Sequence, residues 1–249
     1  MSNSPLVSYT KLSPNHSGQR THAVDRITPH CVVGQCSVET LGNIFAPTSR
    51  QASCQYGIGV DGRVGMYVEE KNRSWCSSSN ANDQRAITIE CASDATHPYA
   101  FNDTVYAKLI ELCTDICKRY GKTKLLWFGD KTKTLNYEPA SNEMVLTVHR
   151  WFANKSCPGD WMYARMGDLA SKVTAKLGGS AGGTEKPADN QVLYRVQTGA
   201  FSNKANADAM LQKVKAAGFD TYMVKVNNLY KIQVGAFSKK ANADAMAAK

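Results

Sequence analysis

The chain has 249 residues, 43% of them hydrophobic and 20% charged, with a formal net charge of +9. That length suits one domain of ordinary size and a small second one, each able to bury a core. No apolar run approaches the roughly 18 residues of a membrane span, and the start, MSNSPLVSYTKLSPN, lacks the basic-then-apolar pattern of a secretory signal. A protein made and kept in the cytoplasm until it is released is expected.

In chain order, ITPHCVVG reads as a buried strand through Ile27 and Thr28 that ends at His30. A histidine among apolar residues is more often packed than metal-bound, so His30 alone says little. YGIGVDGRVGMYVEE contains Asp61-Gly62 between apolar runs, the mark of a hairpin turn in which the acid has a structural part. RAITIE reads as a further strand. In NDTVYAKLIELCTDICKRYG, Val105, Leu109, Leu112 and Ile116 form the apolar face of a helix, and Cys113 and Cys117, one turn apart, belong to its core side. The eight cysteines form no CxxC pair, so reduced thiols are expected, and the irregular gaps of Cys31, Cys36, Cys54, Cys76 and Cys91 argue against a metal role for them.

TVHRWFANKSCPGD differs. It sets His149 and Cys157 eight positions apart, with Lys155 two before the cysteine. Together with His30 they would offer zinc two imidazoles and a thiolate, leaving the fourth tetrahedral position to water, as in a catalytic rather than a structural site. Asp160 is expected to cap the helix that starts at WMYARMGDLASKV.

The composition changes at LGGSAGGTEKPADNQ, residues 177–191, a glycine-rich stretch read as a flexible linker between domains at 1–176 and 192–249. Beyond it, LYRVQTGAFSNKANADAM from Leu193 returns as LYKIQVGAFSKKANADAM from Leu229, 36 residues later. Each copy predicts a strand (Tyr194 and Val196; Tyr230 and Ile232), a Gly-Ala-Phe-Ser turn and an Ala-rich helix. Thr221 to Val226 adds a strand, and Asn227-Asn228 a hairpin turn. The expected order is β-α-β-β-α. Residues 191–249 hold nine Lys or Arg against three Asp or Glu, six of the nine net charges, which suits a polyanionic surface. A dense arginine cluster, finger spacing and an RNA-recognition motif are all missing, so nucleic acid is not the expected partner.

Through YRVQTGAFS and YKIQVGAFS the tail resembles the sporulation-related (SPOR) repeat, a peptidoglycan-binding module. The resemblance implies a small α+β ferredoxin-like fold with four antiparallel strands and two helices. The last strand of that pattern has no counterpart in the sequence, so a module lacking it is expected.

Residues 5 to 175 resemble the type 2 N-acetylmuramoyl-L-alanine amidases. ITPHCVVG matches the first-ligand motif, YGIGVDGRVGMYVEE the Tyr-to-Asp-Gly hairpin, RAITIE the central strand, and HRWFANKSCPGD the closing His and Lys-x-Cys-Pro segment. The resemblance implies an α/β fold, a mixed β-sheet flanked by helices. It also implies Zn2+ held by His30, His149 and Cys157, and cleavage of the amide between N-acetylmuramic acid and L-alanine of the stem peptide. It places Glu90 where an acidic residue handles the proton of the water, Lys155 where an ammonium stabilises the oxyanion, Tyr56 where a tyrosine points into the site, and Trp75 beside the substrate cleft. Bacterial peptidoglycan is the implied partner, with anionic cell-wall polymers as a further one, and an endolysin or autolysin the implied role. Two rivals remain: a non-catalytic peptidoglycan-binding protein of this fold, which would typically lack the cysteine, and a zinc-stabilised structural protein, which would need a fourth ligand such as His22, His97 or another cysteine.

Overall fold

The computed structural model describes residues 2–178, 194–217, 219, 221–237 and 240–248. The chain divides into two compact units, Met1–Glu185 and Lys186–Lys249. The expected linker at 177–191 lies outside the described residues from position 179 onward.

In the first unit the strands are β1 (Val7–Thr10), β2 (His16–Gln19), β3 (Arg26–Cys31), β4 (Tyr56–Ile58), β5 (Val64–Met66), β6 (Asn72–Ser74), β7 (Ala86–Cys91), β8 (Lys124–Leu126) and β9 (Glu143–Leu146). The helices are α1 (Val38–Phe45), α2 (Asn80–Arg85), α3 (Asp103–Arg119), α4 (Lys131–Asn136), α5 (Asp160–Tyr163) and α6 (Met166–Lys176). Seven strands form one mixed sheet in the order β1-β5-β4-β7-β3-β9-β8; β4 and β5 are antiparallel and every other pair is parallel.

Alternation along the central strands divides the sheet into two chemical faces. Ile27, Ile87 and Ile89 are fully buried in a core with Leu109, Leu112, Cys113 and Ile116 of α3 and Leu169 and Val173 of α6. The periodicity of α3 is the one its sequence predicts, and Asn102 caps it by accepting from the Val105 N–H. The other face is polar. The Thr28 hydroxyl lies 2.7 Å from that of Thr147, and Asn82 binds both, donating to Thr28 at 3.0 Å and accepting from Thr147 at 3.0 Å. The Gln55 side-chain oxygen Oε1 accepts from the Thr88 N–H, the Thr88 hydroxyl and the Ser74 hydroxyl. These bonds satisfy buried polar groups and fasten the segment from β6 through α2 onto the sheet.

Asp61-Gly62 forms the expected hairpin between β4 and β5, with Gly62 at φ 81° and the Asp61 carboxylate accepting from the Arg63 N–H. Asp160 does not cap its helix. Gly159 holds the cap position, and Asp160, the first helical residue, instead binds His97 at 2.7 Å and Arg150 at 2.9 Å. All eight cysteines are free thiols.

The second unit contains β10 (Tyr194–Phe201), α7 (Lys204–Ala216), β11 (Thr221–Val226), β12 (Leu229–Phe237) and α8 (Lys240–Ala247), the expected order. Its antiparallel sheet runs β10-β12-β11, three strands among the described residues. Asn227 and Asn228 turn between β11 and β12 with φ of 50° and 61°, the left-handed pair a two-residue hairpin requires. The Gly-Ala-Phe segments are not turns: both strands run through them. A Cβ at Gly199 would stand 2.6 Å from the Phe201 ring, so this glycine admits the ring where a larger residue would bar it. Ala207, Ile232, Val234 and Ala243 form the buried centre.

Candidate active site

His30 is the penultimate residue of β3, and β3 lies parallel to β7 with His30 in register with Glu90. Neighbours in register share a face, so imidazole and carboxylate emerge side by side on the polar face. His149 opens a short 3-10 turn, His149–Trp151, just beyond β9, and the Arg150 N–H donates to the Cys157 carbonyl at 3.1 Å. That bond returns the chain so that Cys157 meets the two histidines. The His30 and His149 rings stand edge to face with centroids 5.1 Å apart. Cys157 Sγ lies 3.2 Å from His30 Nδ1, and donor atoms of His30, His149 and Cys157 fall within 4.8 Å of one another.

Burial keeps all three groups neutral where no cation is present. His30 is wholly buried, and desolvation, then the neighbouring His149, holds its pKa well below the ordinary value. Burial and then the Lys155 ammonium lower that of His149. Burial, followed by contact with the Cys31 side chain, pushes the Cys157 thiol well up. Only a nearby cation would make its thiolate favourable. Two neutral imidazoles and a thiol at these separations fit zinc, and neither His22, at the Ala23 carbonyl, nor His97, on Asp160, joins them as a fourth ligand.

Glu90 stands 4.0 Å from His30 Nδ1, and its Oε2 is buried without a hydrogen-bond partner. Burial, opposed weakly by the charge of Arg50, raises its pKa from 4.5 to about 7. The cluster opens on a cleft of about 550 Å3 whose walls include Trp75, Cys76, Ser78, Glu90, His149 and Lys155. Trp75 forms part of that wall with its indole N–H donated to Ser17 at 2.6 Å, and Lys155 is exposed at the rim.

Tyr56 is not brought to the cleft, contrary to the expectation. It is in register with Ile89, one residue away from Glu90, so its ring passes through the opposite, apolar face. There its hydroxyl donates to Glu70 at 2.6 Å and accepts from the Ser4 N–H at 2.9 Å, while Arg119 and Tyr120 also bind Glu70. Tyr56→Phe should therefore lose about 1–2 kcal/mol of stability, read from denaturant melts, with kcat unchanged. A tenfold fall in kcat with unaltered stability would return this tyrosine to the chemistry.

Two residues of the site were not singled out from the sequence. Cys76 Sγ lies 3.4 Å from His30 Nε2, and the Ser78 hydroxyl lies 2.9 Å from His149 Nε2. Both sit on the loop between β6 and α2, whose Cys76 and Ser77 N–H groups donate to the buried Asp83 carboxylate at 3.1 Å. Ser78 has φ 62°, a left-handed conformation uncommon outside glycine and often found at functional sites. The signal available for Cys76 was its place directly after Trp75, whereas spacing between cysteines carried none.

A mixed sheet with a His-His-Cys donor cluster at one strand end, beside a carboxylate with one unpartnered buried oxygen in an open cleft, defines an α/β protein suited to hydrolytic chemistry. Residues 19–160, more than half of the chain, match the N-acetylmuramoyl-L-alanine amidase family, and the chain belongs to that family. Residues 190–249 match the SPOR domain. Among solved structures, that of PlyL is 15% identical (TM-score 0.47), with 66% of this chain and 95% of that one covered. A selenomethionine derivative of AmpD is 19% identical (TM-score 0.47; 65% and 93% covered), and a mutant endolysin from Bacillus subtilis 14% identical (TM-score 0.46; 66% and 97% covered). No curated protein matches the chain. No helix among the described residues is long and apolar enough to cross a membrane.

Proposed function

We propose that the chain is a zinc-dependent peptidoglycan hydrolase that cleaves the amide between N-acetylmuramic acid and L-alanine of the stem peptide. Its role is that of an endolysin or autolysin acting at the bacterial cell wall. The observation that carries this reading is the meeting of the His30, His149 and Cys157 donors with the Glu90 carboxylate, whose buried Oε2 has no partner, beside a cleft lined by Glu90 and His149. His30, His149 and Cys157 would hold the zinc, which when bound would supply Lewis-acid polarisation and a lowered pKa for water. Glu90, with a pKa raised to about 7 by burial, accepts the proton of the attacking water and passes it to the leaving amine. The Lys155 ammonium faces charge that develops on the carbonyl oxygen. Trp75 offers the sugar or peptide a flat apolar wall.

The second unit carries the wall-binding role, supported by its SPOR match and by the excess of basic residues in 191–249. Anionic cell-wall polymers are a further partner of that charge. Incubation of the full chain with purified peptidoglycan, followed by mass analysis of the products, tests the reaction. Free stem peptides that begin at L-alanine, with intact glycan strands, are expected; cut glycan or cut peptide cross-links would refute the assignment. A chain ending at residue 178 should still hydrolyse soluble muropeptide but co-sediment poorly with sacculi. Equal sedimentation of both forms would remove the wall-binding role from the second unit.

A further inference from the structure

His30 stands between two thiols. Nδ1 faces Cys157 Sγ at 3.2 Å, and Nε2 faces Cys76 Sγ at 3.4 Å. With Zn–S near 2.3 Å and Zn–N near 2.0–2.1 Å, neighbouring donors of a tetrahedral site stand about 3.5 Å apart, so both separations have the size of a coordination edge. Glu90 stands beside both His30 and Cys76, with Oε1 4.0 Å from His30 Nδ1. Its Oε1 lies 4.0 Å from Cys76 Sγ, and its buried Oε2 has no partner. Two donor triads thus share one ring: His30, His149 and Cys157, and His30, Cys76 and Glu90, each with its donor atoms within 4.8 Å of one another.

We propose that His30, Cys76 and Glu90 form a second, inhibitory position for a thiophilic divalent cation such as zinc or cadmium, filled only at metal concentrations above those that fill the first. A thiolate, a carboxylate and an imidazole suit these ions, whereas magnesium and calcium prefer oxygen donors alone. Cys76 and Glu90 line the open cleft, so an ion reaches them from solvent. Binding releases the Cys76 thiol proton. With both positions occupied, His30 also gives up its ring proton and lies as an imidazolate between the two ions. Repulsion between the ions makes the second the weaker. Occupation stops hydrolysis because it engages the carboxylate that would take the proton from water. The inhibition rests on the proposed function; the binding does not.

The test is titration of metal-stripped full-length protein with cadmium, reading bound metal by equilibrium dialysis and thiolate ligation by ultraviolet charge-transfer absorbance. Two successive equivalents are expected, each adding thiolate absorbance. Cys76→Ser should keep the first and lose the second, Glu90→Gln should weaken the second about tenfold or more, and Cys157→Ala should lose the tight first equivalent. Inhibition by excess zinc, scaled to each protein's own activity at one equivalent, should move to at least about tenfold higher zinc in Cys76→Ser. A single equivalent in the parent protein, with absorbance unaltered by Cys76→Ser, would overturn the proposal and leave Cys76 as a hydrogen-bond partner of His30. A second equivalent that survives both Cys76→Ser and Glu90→Gln would also overturn it. Failure of Cys157→Ala to remove the tight equivalent would count against the His30, His149 and Cys157 zinc site instead, so the two ideas fail separately.

Discussion

Cys157→Ala protein is expected to bind zinc more than about 100-fold more weakly than the parent and to release no stem peptide from peptidoglycan. With a single ion bound, Cys157 supplies the negative charge of the first triad, and burial keeps its thiol protonated until a cation compensates it. Without it, two neutral imidazoles face the ion. The fold should persist, because Cys157 is only partly buried at the margin of the core, whose fully buried side chains pack among themselves. Metal content and peptide release measured on one preparation check this. Full lytic activity in thoroughly metal-stripped parent protein would sink the zinc mechanism.

Glu90→Gln should separate binding from turnover: zinc retained, and the rate down by about 10² to 10⁴, as for loss of a general base. Near-normal turnover would take Glu90 out of the chemistry. Lys155→Ala should likewise keep the metal and lose rate. The same glutamate has an opposite effect on stability. In metal-free protein its pKa is about 7 against an ordinary 4.5, so the folded state holds the proton more tightly than the unfolded chain. Its burial is therefore tolerated fully below about pH 4.5, and stability is lost as pH rises through about 7. Glu90→Gln removes that loss. Urea melts of the metal-free proteins should agree near pH 4.5, and at pH 8 the variant should be the more stable by on the order of 2–3 kcal/mol. A variant less stable than the parent at pH 8 would contradict the burial argument.

The strands around His30 and Glu90, the α3 helix, both hairpin turns and the β-α-β-β-α tail are legible in the sequence because each follows from a local pattern. Two-residue alternation, an apolar stripe at helical spacing, or a pair such as Asn227-Asn228 needs no distant partner to be recognised. The set His30, His149 and Cys157 is likewise legible from donor chemistry and motif order. Which side chains then meet was settled by register and packing. His30 aligns with Glu90, whereas Tyr56 aligns with Ile89, and that single-residue offset sends the tyrosine to the opposite face and into the Glu70 network. Cys76 reaches His30 because Asp83 gathers the N–H groups of its loop and Asn82 ties the neighbouring helix to Thr28, contacts made across 7 and 54 positions of chain. Asp160 turns to His97 and Arg150 in place of the cap, and the Gly-Ala-Phe segments stay in strands because their backbone groups find partners across the sheet. Local pattern is enough for the elements, and motif order for the candidate donors; the face each donor occupies follows from strand pairing, because a period-two strand carries no mark of the residue that will stand beside it.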